Sequence, residues 1–124
     1  QRQMCIRDRY LNKGNYDGKN FFSSETFEKF NNCIYCHNGN RRGVGFDKPQ
    51  IEGRHGSTFG GVSSESFGHY GYTGSMAWAD PEKNIIFIFL SNRTYPTREN
   101  TLLQTSNTRT RSQEIVYKSL IDNK

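Results

Sequence analysis

The sequence predicts an α+β fold, an antiparallel sheet with a C-terminal helix packed on it, from three stretches. IIFIFL, Ile85 to Leu90, is a strand-length apolar run without polar alternation, which implies burial on both faces. GYTGSMAWAD precedes it across the turn DPEKN, so the two runs read as a hairpin. SQEIVYKSLIDN near the C-terminus has apolar residues at helical spacing, with Ile115, Val116, Leu120 and Ile121 expected to bury.

Toward the N-terminus, GNYDG, Gly14 to Gly18, is turn chemistry. Ser23 then caps a helix with Glu25 in its first turn, and Phe27, Phe30 and Ile34 give that helix an aromatic face suited to packing on the sheet. NGNRRGVG ends it, and a short strand is expected around Gly43 to Asp47 before Pro49. IEGRHGSTFGGVSSES reads as a surface loop. Two further strands are placed around Tyr72 to Ala79 and Ile85 to Ser91, and Thr110 with Gln113 offers a capping box for the last helix.

A chain of 124 residues suits one domain with a modest core. Only 32% of its residues are apolar, but nine Phe and seven Tyr make an aromatic core possible. Residues 1–9, QRQMCIRDR, join YLNKGNYDGK without a turn or capping signal and read as a non-native tail, leaving 10–124 as the folded unit. Without that tail the formal charge falls from +5 to +3, since three Arg and one Asp leave with it. The remaining basic residues are scattered, so no nucleic-acid partner is expected. No window approaches the ~20 apolar residues of a membrane span.

Three short motifs compete for chemistry. Cys33-Ile34-Tyr35-Cys36-His37 spells CxxCH, which fits covalent haem attachment with His37 as axial ligand, a metal or redox pair, or incidental cysteines. A second axial ligand and the Lys-rich helical frame of small cytochromes are missing, so no cofactor and no metal is expected. RGVGF, Arg42 to Phe46, echoes an RNA-binding strand, but Asp47 and Pro49 break that pattern and a tight turn is the simpler reading. FGHYGYTG, Phe67 to Gly74, sets His69 on a strand with Gly71 two residues on. A hydrolase uses such a pattern where backbone N–H groups must approach a substrate carbonyl, and a Gly-rich hairpin uses it with a structural His.

GHYGYTGSMAWADPEKNIIFIFLSNRTYPTREN resembles the C-terminal part of the serine beta-lactamase and penicillin-binding-protein-like hydrolases. There an FGHTGFTGT stretch, a DP turn, an apolar strand ending in SNR or TNR, and a polar PxREN segment follow in that order. NRRGVGFDKP resembles the short strand segment that precedes them in bacterial members. The resemblance spans Tyr10 to about Leu120 and implies the C-terminal portion of a beta-lactamase/transpeptidase-like domain, hence an incomplete one.

In that family a KTG or HxG element lies on the innermost strand of the sheet, and it maps here onto His69-Tyr70-Gly71. By resemblance His69, Gly71 and Tyr72 are the catalytic positions, with the Tyr72 N–H as one oxyanion donor, and Tyr70 and Thr73 are substrate-binding. Tyr70 stands where the family usually has Thr. The family's nucleophile and base lie in SxxK, and no Ser in this chain has Lys three residues on. Tyr10-Leu11-Asn12 matches the YxN element by letters alone.

The resemblance therefore implies a serine-hydrolase fragment, inactive alone, whose partners are the missing N-terminal part of its own domain and a small-molecule or peptidoglycan-peptide substrate. It also implies an exported, cell-envelope location and, in some bacterial relatives, fusion to a family 3 glycoside hydrolase. A non-catalytic cell-wall binding module is the alternative. An uncovered helix face and an open sheet edge are expected in such a fragment.

Overall fold

A computed structural model describes residues 8–49 and 58–121. Most of the tail, residues 1–7, and the first part of the Gly/Ser-rich segment lie outside the described residues. The elements are β1 (Asn15–Tyr16), β2 (Lys19–Asn20), α1 (Ser24–Asn31), β3 (Phe67–Tyr70), β4 (Met76–Asp80), β5 (Ile85–Phe89), α2 (Leu102–Thr105) and α3 (Thr108–Ile121). β1 and β2 form a small hairpin, and β3, β4 and β5 form an antiparallel sheet in that order.

Alternation along the strands gives the sheet two faces. On one face Phe67 stands opposite Ala79, and His69 opposite Ala77, with Ile86 and Ile88 continuing each row on β5. On the other face Gly68, Trp78 and Phe87 share a row, as do Tyr70, Met76 and Phe89. All five residues of β4, the central strand, are buried.

The first face meets an aromatic cluster. The Tyr10 ring packs against Phe22, Phe27, Phe46 and Phe67 at centroid separations of 4.8–5.9 Å. Each such pair contributes about 0.5–1.5 kcal/mol beyond its buried area. Tyr10 is therefore a core residue, and burial pushes its phenol pKa up. Ser23 caps α1 as expected, its Oγ accepting from the Thr26 N–H at 3.1 Å. The helix stops at Asn31, however, so Phe27 alone of its expected apolar face is buried, while Phe30 and Ile34 are exposed.

The second face packs on α3 through Met76, Trp78, Ile85, Phe87 and Tyr117. Gly68 has no alternative here, because a Cβ on it would land inside the Trp78 ring and against the Ala77 carbonyl. α3 begins at Thr108, so the expected capping box at Thr110 does not form. Gln113 is instead fully buried, and its Oε1 accepts the Phe59 N–H at 3.0 Å. Ile115, Val116 and Leu120 turn outward, and Tyr117 is the ring that buries.

Two strand expectations need correction. Gly43 to Asp47 is a tight turn flanked by single bridges: Arg42 faces Asp47, and Asp47 exchanges two backbone hydrogen bonds with Gly68. Its two glycines leave too little chain for a ladder. The strand placed from Tyr72 begins at Met76, because Gly71 to Ser75 is the turn joining β3 to β4.

Nor is the stretch before β3 simply a surface loop. Ser63 and Ser66 are buried, and the Ser63 N–H and Oγ both donate to the Asp80 carboxylate, at 2.9 and 2.6 Å. The Tyr117 hydroxyl donates to the same carboxylate at 3.3 Å. Burial, then the Asp80 charge and this hydrogen bond, push the Tyr117 pKa well above the ordinary 10. The folded state thus holds this proton where the unfolded chain loses it, so the contribution is complete below pH 10 and shrinks above it. Urea titrations between pH 9 and 11 should show wild type losing up to about 1.4 kcal/mol more per pH unit than Tyr117→Phe.

Candidate active site

The turn between β3 and β4 is built by two hydrogen bonds. The Gly71 N–H donates to the Ser75 carbonyl at 2.7 Å, and the Gly74 N–H donates to the Gly71 carbonyl at 3.0 Å. Gly74 sits at φ 93°, and a Cβ there would strike Leu103 Cδ2, so glycine is obligatory. Because the Gly71 carbonyl is held, the planar trans peptide it belongs to is held as well. That peptide's N–H is Tyr72's, and it has no acceptor among the described residues.

Arg93 fixes the outside of the turn. Its Nε donates to the Tyr72 carbonyl at 3.0 Å, its backbone N–H donates to the Thr73 carbonyl at 2.9 Å, and its guanidinium lies 5.1 Å from the Tyr72 ring centre. Nη1 reaches on to the Arg98 and Asn100 carbonyls at 3.1 and 3.4 Å. Ser91 Oγ adds a hydrogen bond to the Thr73 carbonyl, and Ser75 Oγ donates to the Ser91 carbonyl while accepting the Ser91 N–H. The SNR stretch therefore carries the turn, a role that sequence reasoning missed although SNR was in view.

His69 is exposed at the end of β3 and lines an open cavity of about 300 Å³ with Gly71, Ser75, Met76, Ala77, Ile88 and Leu90. The aromatic cluster covers the Phe67 end of this sheet face and leaves the His69 end bare, with Leu90 80% exposed. A Cβ on Gly71 would meet nothing nearer than 3.6 Å, so the chain itself does not require glycine there.

Tyr70 points to the opposite face. Its ring lies 5.8 Å from Trp78, with the Arg41 and Arg109 guanidinium groups 5.4 and 5.2 Å from its centre. It is not among the residues lining the His69 cavity. Thr73 is exposed at the tip of the turn. His69, Gly71 and the Tyr72 N–H thus lie together at the end of β3 and the start of the turn, while the Tyr70 ring lies on the opposite face of the sheet. Chemically this edge offers a free backbone donor, an imidazole and an apolar floor.

The beta-lactamase family model matches residues 29–108, more than half of the chain. The chain belongs to the beta-lactamase family. No curated protein matches it. The family match takes in the end of α1, the whole β3–β5 sheet and the Arg93 clamp, so the stretch from His69 to Tyr72 lies inside it. Tyr10 and most of α3 fall outside. Among the described residues of this beta-lactamase-family chain, no helix is long and apolar enough to cross a membrane, and no group of His, Cys, Asp or Glu could hold a metal ion.

Proposed function

We propose that the chain forms one wall of a serine-hydrolase acyl-enzyme pocket and supplies its second oxyanion donor, the Tyr72 N–H. The observation that carries this reading is that peptide: oriented by the Gly71 to Gly74 turn, without an acceptor among the described residues, beside a glycine the fold does not need. A preorganised N–H stabilises the tetrahedral oxyanion because it does not reorganise when charge develops. His69 orients the substrate or its proton network from the same edge.

With no SxxK in these 124 residues, the serine and its lysine come from sequence outside them. That serine attacks an amide or ester carbonyl, an acyl-enzyme forms, and water releases it. The missing part of the domain covers the bare His69 end of the sheet and the outward face of α3, where Ile115 and Leu120 are 65% and 51% exposed. Peptidoglycan peptides, beta-lactams and small esters are the substrate classes, and the bacterial cell envelope is the location. The resemblance noted above supports each of these.

Labelling with a fluorescent penicillin or a fluorophosphonate tests the reading. The 124-residue chain should remain unlabelled, and the product of the longer reading frame should label on a serine. A longer product that never labels, and carries no SxxK, would leave a cell-wall binding module. In a labelling protein, His69→Ala should slow acylation by about 10²-fold, and an unchanged rate would remove His69 from the mechanism.

A further inference from the structure

The acyl-enzyme reading does not use the CxxC stretch. Cys33 and Cys36 are joined as a disulfide directly after α1. Both are partly exposed, and both sulfurs are engaged with one another, so neither is available for haem. A ring spanning a sequence separation of three constrains the unfolded chain less than a long loop does. The local backbone also holds itself: Asn38 N–H and Asn40 N–H donate to the Tyr35 carbonyl, and Gly39 N–H donates to the Cys36 carbonyl. The turn therefore keeps its shape without the S–S bond.

Opening that bond would leave Cys33 with ready partners. Its Sγ is 3.6 Å from the Asn40 carbonyl oxygen and 3.9 Å from that of Arg42, acceptors that a disulfide sulfur cannot use and a thiol can. Cys33 also lines a cavity of about 320 Å³ with Glu28, Asn31, Lys48 and Glu65. The Lys48 ammonium in it is already occupied by Asn31 Oδ1 and the Glu65 carbonyl, at 3.1 and 3.2 Å. Glu28 is paired with Lys13. The Glu65 carboxylate makes no ion pair within 4 Å among the described residues, although its charge and that of Glu28 both act on Lys48.

We propose that Cys33–Cys36 is a thiol–disulfide exchange site whose reactant is a small aminothiol, its ammonium held by Glu65 and its sulfur presented to Cys33 through this cavity. The aminothiolate attacks Cys33 Sγ, the Cys33–Cys36 bond breaks, and its electron pair leaves on Cys36, which takes a proton from water. A second aminothiolate then attacks the aminothiol sulfur of the mixed disulfide and releases Cys33 as thiolate. Two thiols become one disulfide, and the cysteine pair gains the two electrons as a dithiol.

The test uses the full chain with Cys5→Ser, so that only this pair reacts. Rates of reduction by cysteamine and by 3-mercaptopropionate are followed by acid quench, maleimide alkylation and intact mass. Each rate is divided by its value on the same chain in urea, which removes the intrinsic reactivity of the thiol. The folded-to-unfolded ratio should favour cysteamine by about tenfold, and Glu65→Gln should abolish the preference. In Cys36→Ser, where Cys33 is a free thiol, cystamine should leave one cysteamine half on Cys33 as a mixed disulfide and release the other half as thiol. Equal ratios for the two thiols, a preference untouched by Glu65→Gln, or protection of the disulfide from both thiols in the folded chain would overturn the proposal. The wild-type ratio needs no variant at the site, so it decides even if Cys36→Ser fails to fold.

Discussion

Asp80→Ala is expected to cost about 3 kcal/mol or more, enough to unfold a substantial fraction of so small a domain at 25 °C. The side chain is fully buried and collects four donors: the Ser63 N–H and Oγ, the Lys83 N–H and the Tyr117 hydroxyl. Removing it leaves those donors unpaired, and three of them lie in the interior, where each unmade bond carries its full desolvation cost. The loss also cuts the tie between the stretch before β3, the β4–β5 turn and α3. Urea denaturation followed by circular dichroism measures it. Asp80→Asn should recover only part of the stability, since its amide turns a donor toward groups that are themselves donors.

Tyr72→Pro in the nucleophile-bearing protein should lower the acylation rate by about 10²–10³-fold while leaving the fold intact. Proline removes the N–H, and Tyr72 follows the first residue of the four-residue Gly71–Gly74 turn, the position where proline is favoured. The turn's own hydrogen bonds use the N–H groups of Gly71 and Gly74, so neither is lost. Tyr72→Ala keeps the donor and is the control, with acylation within a few-fold of wild type. Equal rates in the proline and alanine variants would show that the Tyr72 peptide does not meet the oxyanion.

Patterns with a short-range cause were legible in the sequence. Ser23 caps its helix because a side-chain oxygen and an N–H three residues on are all that the motif needs. The β4–β5 hairpin was readable because its apolar runs flank a turn of Pro81, Glu82, Lys83 and Asn84. Long-range pairings were not legible. The letters set His69 on a strand but did not show that FGHY pairs back on MAWAD, with only the Gly71–Gly74 turn between them. Tyr10 matched a catalytic motif by letters, and four rings distant in sequence make it core.

The last helix shows the same limit from the other side. Its apolar letters suggested which residues bury, but Tyr117 took the interior because Asp80 could satisfy its hydroxyl. At the candidate site, the residues of one turn were readable as a group because they are contiguous. The opposite directions of His69 and Tyr70 follow from strand alternation once β3 is known to be a strand.

The Arg93 clamp makes two distant pieces of chain a single mechanical part. One planar group grips the Tyr72 carbonyl on one side and the Arg98 and Asn100 carbonyls on the other. Removing the guanidinium would therefore release the 94–100 loop and the Tyr72 carbonyl at once. The loop and the turn share one brace, and neither can shift without breaking a bond to it.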